Sequence, residues 1–147
     1  MKISITKKQE KFINSNAFET LFGGAAGGGK SYGQLVDGLL YALKYKKSKQ
    51  IIFRSTFADL EKSLIRVSLD IYPLSIADYN SSKHTWKFNN GSIIDFGYIQ
   101  YEKDVYQYQS AEYDVIRFDE LTHFTEFMYT YMISRCRGAN PYSKRIK

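Results

Sequence analysis

Residues 30 to 43 carry the clearest periodic signal: Tyr32, Leu35, Val36, Leu39, Leu40 and Leu43 recur at helical spacing and predict an amphipathic helix opening near Lys30. Ahead of it, Phe18, Leu21 and Phe22 read as a short buried strand, and Ile5, Gln9, Phe12 and Ile13 as one side of a short leading helix. Gln50 to Arg54, QIIFR, is a compact apolar run suited to a buried parallel strand. Ser55-Thr56 with Asp59 forms a helix start, and Phe57, Leu60, Leu64, Val67 and Ile71 continue at helical spacing until Pro73. This β-α-β-α order predicts an α/β architecture, a mostly parallel sheet flanked by helices with right-handed crossovers.

The pattern then changes period. Trp86 and Phe88 alternate with polar neighbours, Asn89-Asn90-Gly91 supplies a turn, and Ile93, Ile94 and Phe96 complete a hairpin inserted into the sheet. Between Tyr98 and Tyr113 the chain is polar, tyrosine-rich and without period, which predicts a loop. Tyr113 to Phe118 reads as another strand, and a helix is expected to follow as far as Arg137, with Gly138 as its stop.

Two stretches carry chemistry. Gly24, Ala25, Ala26, Gly27, Gly28, Gly29, Lys30 and Ser31 match G-x-x-x-x-G-K-[ST], lying where strand passes into helix. Backbone N–H groups can wrap a triphosphate only where missing Cβ atoms allow a tight turn with positive φ. Lys30 then offers a point charge to the β and γ phosphates of ATP, and the Ser31 hydroxyl a ligand to Mg2+. Asp119 and Glu120 end the later strand; Asp119 is the expected second metal residue and Glu120 the expected general base for the attacking water.

Further candidates depend on where the fold places them. Gln9 offers a donor and an acceptor to an adenine edge, or is an ordinary exposed glutamine. Arg54, at the C-terminal end of its strand, either faces a phosphate or pairs with Asp59 or Glu61. Arg135 and Arg137 are candidates for a charge on the γ-phosphate, in this or a neighbouring subunit; a helix end and DNA phosphates are the alternatives. Thr122 and His123 could sense the nucleotide state.

Composition narrows the class. The chain of 147 residues fits one domain, and 44% hydrophobic and 16% aromatic content mark it as globular rather than disordered. A formal charge of +6 is compatible with a polyanionic partner, although Lys44, Lys46, Lys47 and Lys49 read first as a solvated helix end. Cys136 is the only cysteine, which excludes an internal disulfide and suits a reducing compartment. No stretch approaches a membrane span and the N-terminus lacks a secretory pattern, so the expected location is cytosolic. His84 and His123 are too isolated for a zinc site.

Together GGAAGGGKS, the hairpin, YQSAEYDVIRFDELTHF and SRCRG resemble the ATPase domain of the large terminase subunit of tailed bacteriophages. The resemblance covers nearly the whole chain. It implies a RecA-like P-loop core working as a Mg-dependent ATPase in the host cytoplasm, assembled as a ring that packages double-stranded DNA with a portal and a small terminase subunit. It also implies roles for Gly24 through Ser31 in phosphate binding, Asp119 in magnesium binding, Glu120 in catalysis and Gln9 beside adenine. Where many relatives carry an arginine, Gln109 stands here. The sequence reaches GANPYSKRIK, before the further core strand with a coupling motif and the nuclease domain that relatives carry, so a single partial domain without nuclease activity is expected. A helicase-like ATPase core and a non-hydrolysing DNA- or partner-binding module are the alternatives.

Overall fold

The computed structural model describes residues 3–22, 29–138 and 141–147. One six-stranded sheet runs through it in the order β2-β3-β4-β1-β5-β6. Its strands are β1 (Lys49–Arg54), β2 (Ala77–Asn80), β3 (Thr85–Phe88), β4 (Ile93–Tyr98), β5 (Val115–Phe118) and β6 (Arg145–Ile146). β4, β1, β5 and β6 are mutually parallel, whereas β2 and β3 join antiparallel as the expected hairpin elaboration plus one more strand. The helices are α1 (Lys7–Ile13), α2 (Lys30–Lys44), α3 (Phe57–Leu60), α4 (Arg66–Ile71) and α5 (Glu126–Ile133).

Alternation along β1 explains the two cores. Ile52 faces a cluster built with Leu35 and Leu39 of α2, Leu60 and Leu64, and Trp86, Phe88, Ile94 and Phe96 of the hairpin strands. Ile51 and Phe53 point the other way, onto Val105, Ile116, Phe118, Met128 and Met132. Successive side chains of a strand leave on opposite faces, so a run apolar at every position marks a strand covered on both sides.

Helix starts fall where the caps place them. Thr56 accepts from Asp59 N at 3.2 Å, and α3 passes through a π turn (Glu61–Ile65) into α4, which ends before Pro73. Thr125 caps α5 in the same way, accepting from Met128 N at 3.2 Å. That helix stops at Ile133 rather than near Arg137, because the following residues turn back and pair with Tyr113, whose N–H donates to Arg135 O at 2.9 Å.

Four further expectations are corrected. Residues 17–22 do form an extended segment, bridged in parallel at Glu19 to Ile146, but they lie at the sheet margin beyond β6 and leave Phe18 46% and Leu21 75% exposed. In α2, Leu40 and Leu43 are exposed while Gln34 and Asp37 are buried. The tyrosine-rich segment contains a 3-10 helix (Glu102–Tyr108) that seats Val105 in the core. A core strand after the carboxylate pair was expected to be missing, yet Arg145 and Ile146 pair with Val115 and Ile116 of β5.

Burying Gln34 and Asp37 becomes intelligible from what stands opposite. Arg117, fully buried in β5, donates to Gln50 Oε1 from Nε at 3.0 Å and from Nη2 at 2.7 Å, to Gln34 Oε1 at 3.2 Å, and to Asp37. Lys147 Nζ reaches Asp37 Oδ1 at 3.1 Å and Phe12 O at 3.0 Å. The network ties α1, α2, β1, β5 and the residue after β6 together.

Burial holds the Lys147 ammonium down to about 8, with Asp37 partly offsetting that effect and Arg117 reinforcing it. Because the folded form loses its proton before the unfolded chain does, the unfolded chain binds more protons from about pH 8 upward, and stability should rise with pH there. Tyrosines such as Tyr72, held protonated by burial, act in the opposite direction above about pH 10. Between about pH 8 and 9.5 the urea midpoint of the wild type is therefore expected to rise relative to that of Lys147→Met, by on the order of 1 kcal/mol in stability. Parallel pH profiles would show that the ammonium is not desolvated.

Candidate functional site

The sheet brings the two chemical stretches to one edge. α2 begins at Lys30 beside the C-terminal end of β5, and Ser31 Oγ donates to Asp119 Oδ2 at 2.8 Å across 88 residues of sequence. Asp119 continues β5 by donating its N–H to Phe53 O at 2.9 Å, which fixes its carboxylate at the strand tip. Arg54, the last residue of β1, approaches the same oxygen at 3.0 Å and Glu120 Oε1 at 3.7 Å. The alternative pairing of Arg54 with Asp59 or Glu61 does not occur.

Glu120 breaks the strand by adopting a left-handed conformation, φ 61° and ψ 63°, costly for a residue with a long side chain. The turn carries its carboxylate away from buried Asp119 into a more open position, 38% exposed. A cavity of about 580 Å3 opens here, lined by Lys30, Gln34, Asp119, Glu120, Thr122 and Tyr129. Burial raises the Asp119 carboxyl above the ordinary carboxylate range and Glu120 adds to that, while the Ser31 hydroxyl, Arg54 and Lys30 act against it. An added cation would favour the ionised form.

Gln9 has a role that the sequence pattern Thr6-x-x-Gln9 could have revealed. Its Oε1 accepts from Thr6 N at 2.8 Å and Thr6 Oγ1 accepts from Gln9 N at 3.2 Å, a capping box at the start of α1. Its Nε2 donates to Gly29 O at 2.8 Å, so the buried amide braces the N-cap residue of α2. Gly29 is required twice over: φ is 73°, and an added Cβ would lie 2.6 Å from Gln9 Nε2. Gly24, Ala25, Ala26, Gly27 and Gly28 lie outside the described residues.

Arg135 and Arg137 are not brought to this site within the chain. Arg135 sits beside Tyr113 at the opposite end of β5 from Asp119, with its guanidinium donating to Gln109 O, and Arg137 is exposed just beyond it. Thr122 does line the cavity, whereas His123 is exposed on the 3-10 turn Leu121–His123. Sequence reasoning missed Arg117, Gln34, Asp37 and Lys147; a lone arginine inside a buried apolar strand was the available signal.

A mostly parallel sheet flanked by helices, with Lys30-Ser31 opening a helix against a strand-tip Asp119, defines the P-loop nucleotide-binding class. More narrowly, the chain belongs to the family of the terminase large subunit, T4likevirus-type, N-terminal region, which matches residues 21–141. Among solved structures it is similar to the large terminase of a thermophilic bacteriophage, at 13% identity and TM-score 0.77 over 98% of this chain and 38% of that one. The same phage protein in complex with ADP aligns at 12% identity and TM-score 0.76, covering 97% of this chain and 38% of that chain. Its complex with ATP-gamma-S aligns at 14% identity and TM-score 0.73, covering 97% and 37%. These likenesses show the fold, and the chain spans less than two-fifths of those proteins. No curated protein matches the chain. Among the described residues, no helix is long and apolar enough to cross a membrane.

Proposed function

We propose that this chain is the ATP-binding and hydrolysing part of a phage DNA-packaging motor, acting in the host cytoplasm on double-stranded DNA with a portal and a small subunit as partners, and assembling as a ring. The observation that carries the reading is the Ser31–Asp119 hydrogen bond, which places the end of the phosphate loop and the strand-tip carboxylate at one point. The family match and the solved relatives bound to ADP and ATP-gamma-S support it.

Ser31 and Asp119 form a hard-oxygen donor pair that fits Mg2+, a cation that keeps several waters and takes phosphate oxygens as further ligands. Among the described residues, no three histidine, cysteine or carboxylate side chains gather in a group that could hold a metal. When bound, the ion would neutralise charge on the β and γ phosphates. Lys30 adds its own charge there, and the Gly29 backbone, held by Gln9, sets the loop's exit. Glu120, on the wall of the same cavity, would accept a proton from the water that attacks the γ-phosphate. Arg54 pairs with Asp119 and approaches Glu120, and would share the charge of the transferred group from there. Nucleotide discrimination by Gln9 would rest on the positions left open once Thr6 and Gly29 are bound.

Titrating the protein with a fluorescent ATP analogue tests the central assignment. Lys30→Ala is expected to weaken binding at least about tenfold, the loss of one strong charge–phosphate interaction, roughly 1.4 kcal/mol or more. Indistinguishable affinities would remove the phosphate-loop assignment.

A further inference from the structure

Four exposed lysines, Lys44, Lys46, Lys47 and Lys49, fall within six residues, from the last residue of α2 to the first of β1. A lysine run after a helix ordinarily complements the helix dipole on a frayed, solvated end. Here the backbone is clamped. Asn90 Nδ2 donates to Ala42 O at 2.8 Å, Ser92 Oγ reaches the carbonyls of Ala42 and Tyr45 at 2.9 and 2.8 Å, and Ser48 N donates to Tyr45 O at 3.2 Å. From the other side Tyr142 OH donates to Lys46 O at 2.9 Å, and the Tyr45 ring packs between those of Tyr41 and Tyr142 at 4.6 and 4.8 Å. Lys47 is held at φ 61°, a conformation that costs a side-chain-bearing residue about 1–2 kcal/mol.

The hairpin turn and the segment after residue 141 thus fix a surface that displays like charges side by side. None of the four lysines makes an ion pair among the described residues, although Lys144 nearby is tied to Asp114 at 3.2 Å. Lys44 is partly engaged, 5.1 Å from the Tyr45 ring centroid, and the Lys49 charge acts on the half-buried Asp95 carboxyl. Lys49 opens β1 and Arg54 closes it, so at about 3.3 Å per residue the patch lies roughly 16 Å from the nucleotide edge, on the opposite end of the sheet. Nothing bound at Lys30 and Asp119 would cover it.

We propose that Lys44, Lys46, Lys47 and Lys49 form a phosphate-backbone contact surface for double-stranded DNA. Concentrated, unpaired and rigidly presented positive charge gains most from a partner that is itself a dense row of anions, because neutralising each phosphate releases condensed counterions. Lysine ammonium groups meet phosphates as point charges, so binding there is expected to be independent of sequence. The choice of duplex DNA as the polyanion rests on the motor reading above; the surface itself does not.

The test is fluorescence anisotropy with a random-sequence duplex between about 50 and 200 mM salt. Replacing all four lysines by glutamine is expected to weaken binding at least about tenfold and to reduce the steepness of the log–log salt dependence by about 2 to 4. Arginine at the same four positions should restore both, and the fluorescent ATP analogue should bind all three proteins equally. Neutralising Lys7, Lys8 and Lys11 on α1 removes comparable charge elsewhere and should change the slope little. An unchanged slope in the four-lysine variant, an equal loss in the α1 variant, or wild-type protein that prefers polyglutamate to duplex would each overturn the proposal. Absence of any duplex binding by the wild type would overturn it too, while the Lys30→Ala titration separately decides the motor reading.

Discussion

Glu120→Gln is expected to slow phosphate release by a factor on the order of 10²–10⁴ while leaving nucleotide affinity within a few-fold of wild type. Glutamine keeps the shape and the hydrogen-bonding reach of the side chain but cannot accept a proton. The substitution leaves Asp119 with its bonds to Ser31 and Arg54, so the binding half of the site is untouched. Loss of the Arg54–Glu120 approach matters little for stability, because that contact is 3.7 Å long and the glutamate is 38% exposed. Single-turnover phosphate release, measured with and without duplex DNA, gives the rate, and titration of the fluorescent analogue gives the affinity. Equal rates would remove Glu120 as the base, and a joint collapse of rate and affinity would assign it to binding instead.

The placement of the candidate site residues was legible because it follows from spacing along the chain. Lys30 and Ser31 begin a helix whose period is plain, and Asp119 and Glu120 end an apolar run, so each lies at a predictable element boundary. That Ser31 and Asp119 meet at 2.8 Å follows from parallel strands, which bring every C-terminal end to the same edge.

What escaped the sequence depends on what stands opposite a residue. Leu40 and Leu43 satisfy the helical period as well as Leu39 does, but they are left 43% and 41% exposed, while Asp37 is buried because Arg117 and Lys147 face it. Phe18 and Leu21 form part of an apolar run, yet that run lies at the sheet margin. The amide chemistry of Gln9 suggests a base edge, whereas its spacing from Thr6 is what turns it to brace Gly29. The lysines at the end of α2 look like any charged helix end until the hairpin side chains Asn90 and Ser92 are seen to pin the backbone beside them, at Ala42 and Tyr45.

Arg117→Leu is expected to cost roughly 3–5 kcal/mol of folding stability, the usual consequence of removing one partner from a buried charge network. The guanidinium is fully enclosed and serves Gln50, Gln34 and Asp37 at once. Leucine would leave Gln50 Oε1 without its two donors and Asp37 with Lys147 alone. Arg117→Lys keeps the charge but has no planar fork to span three acceptors, so it should recover only part of the loss. The midpoint and slope of urea unfolding measure both, a shifted midpoint with unchanged slope being the expected form. Because Gln34 Nε2 also donates to Lys147 O at 2.8 Å, loosening this cluster frees α2 from the strands that carry Asp119. In folded Arg117→Lys protein, nucleotide affinity should therefore fall along with stability. An Arg117→Leu protein as stable as wild type would mean that water or repacked apolar groups replace the network without loss, and that α2 is held to the sheet without the guanidinium.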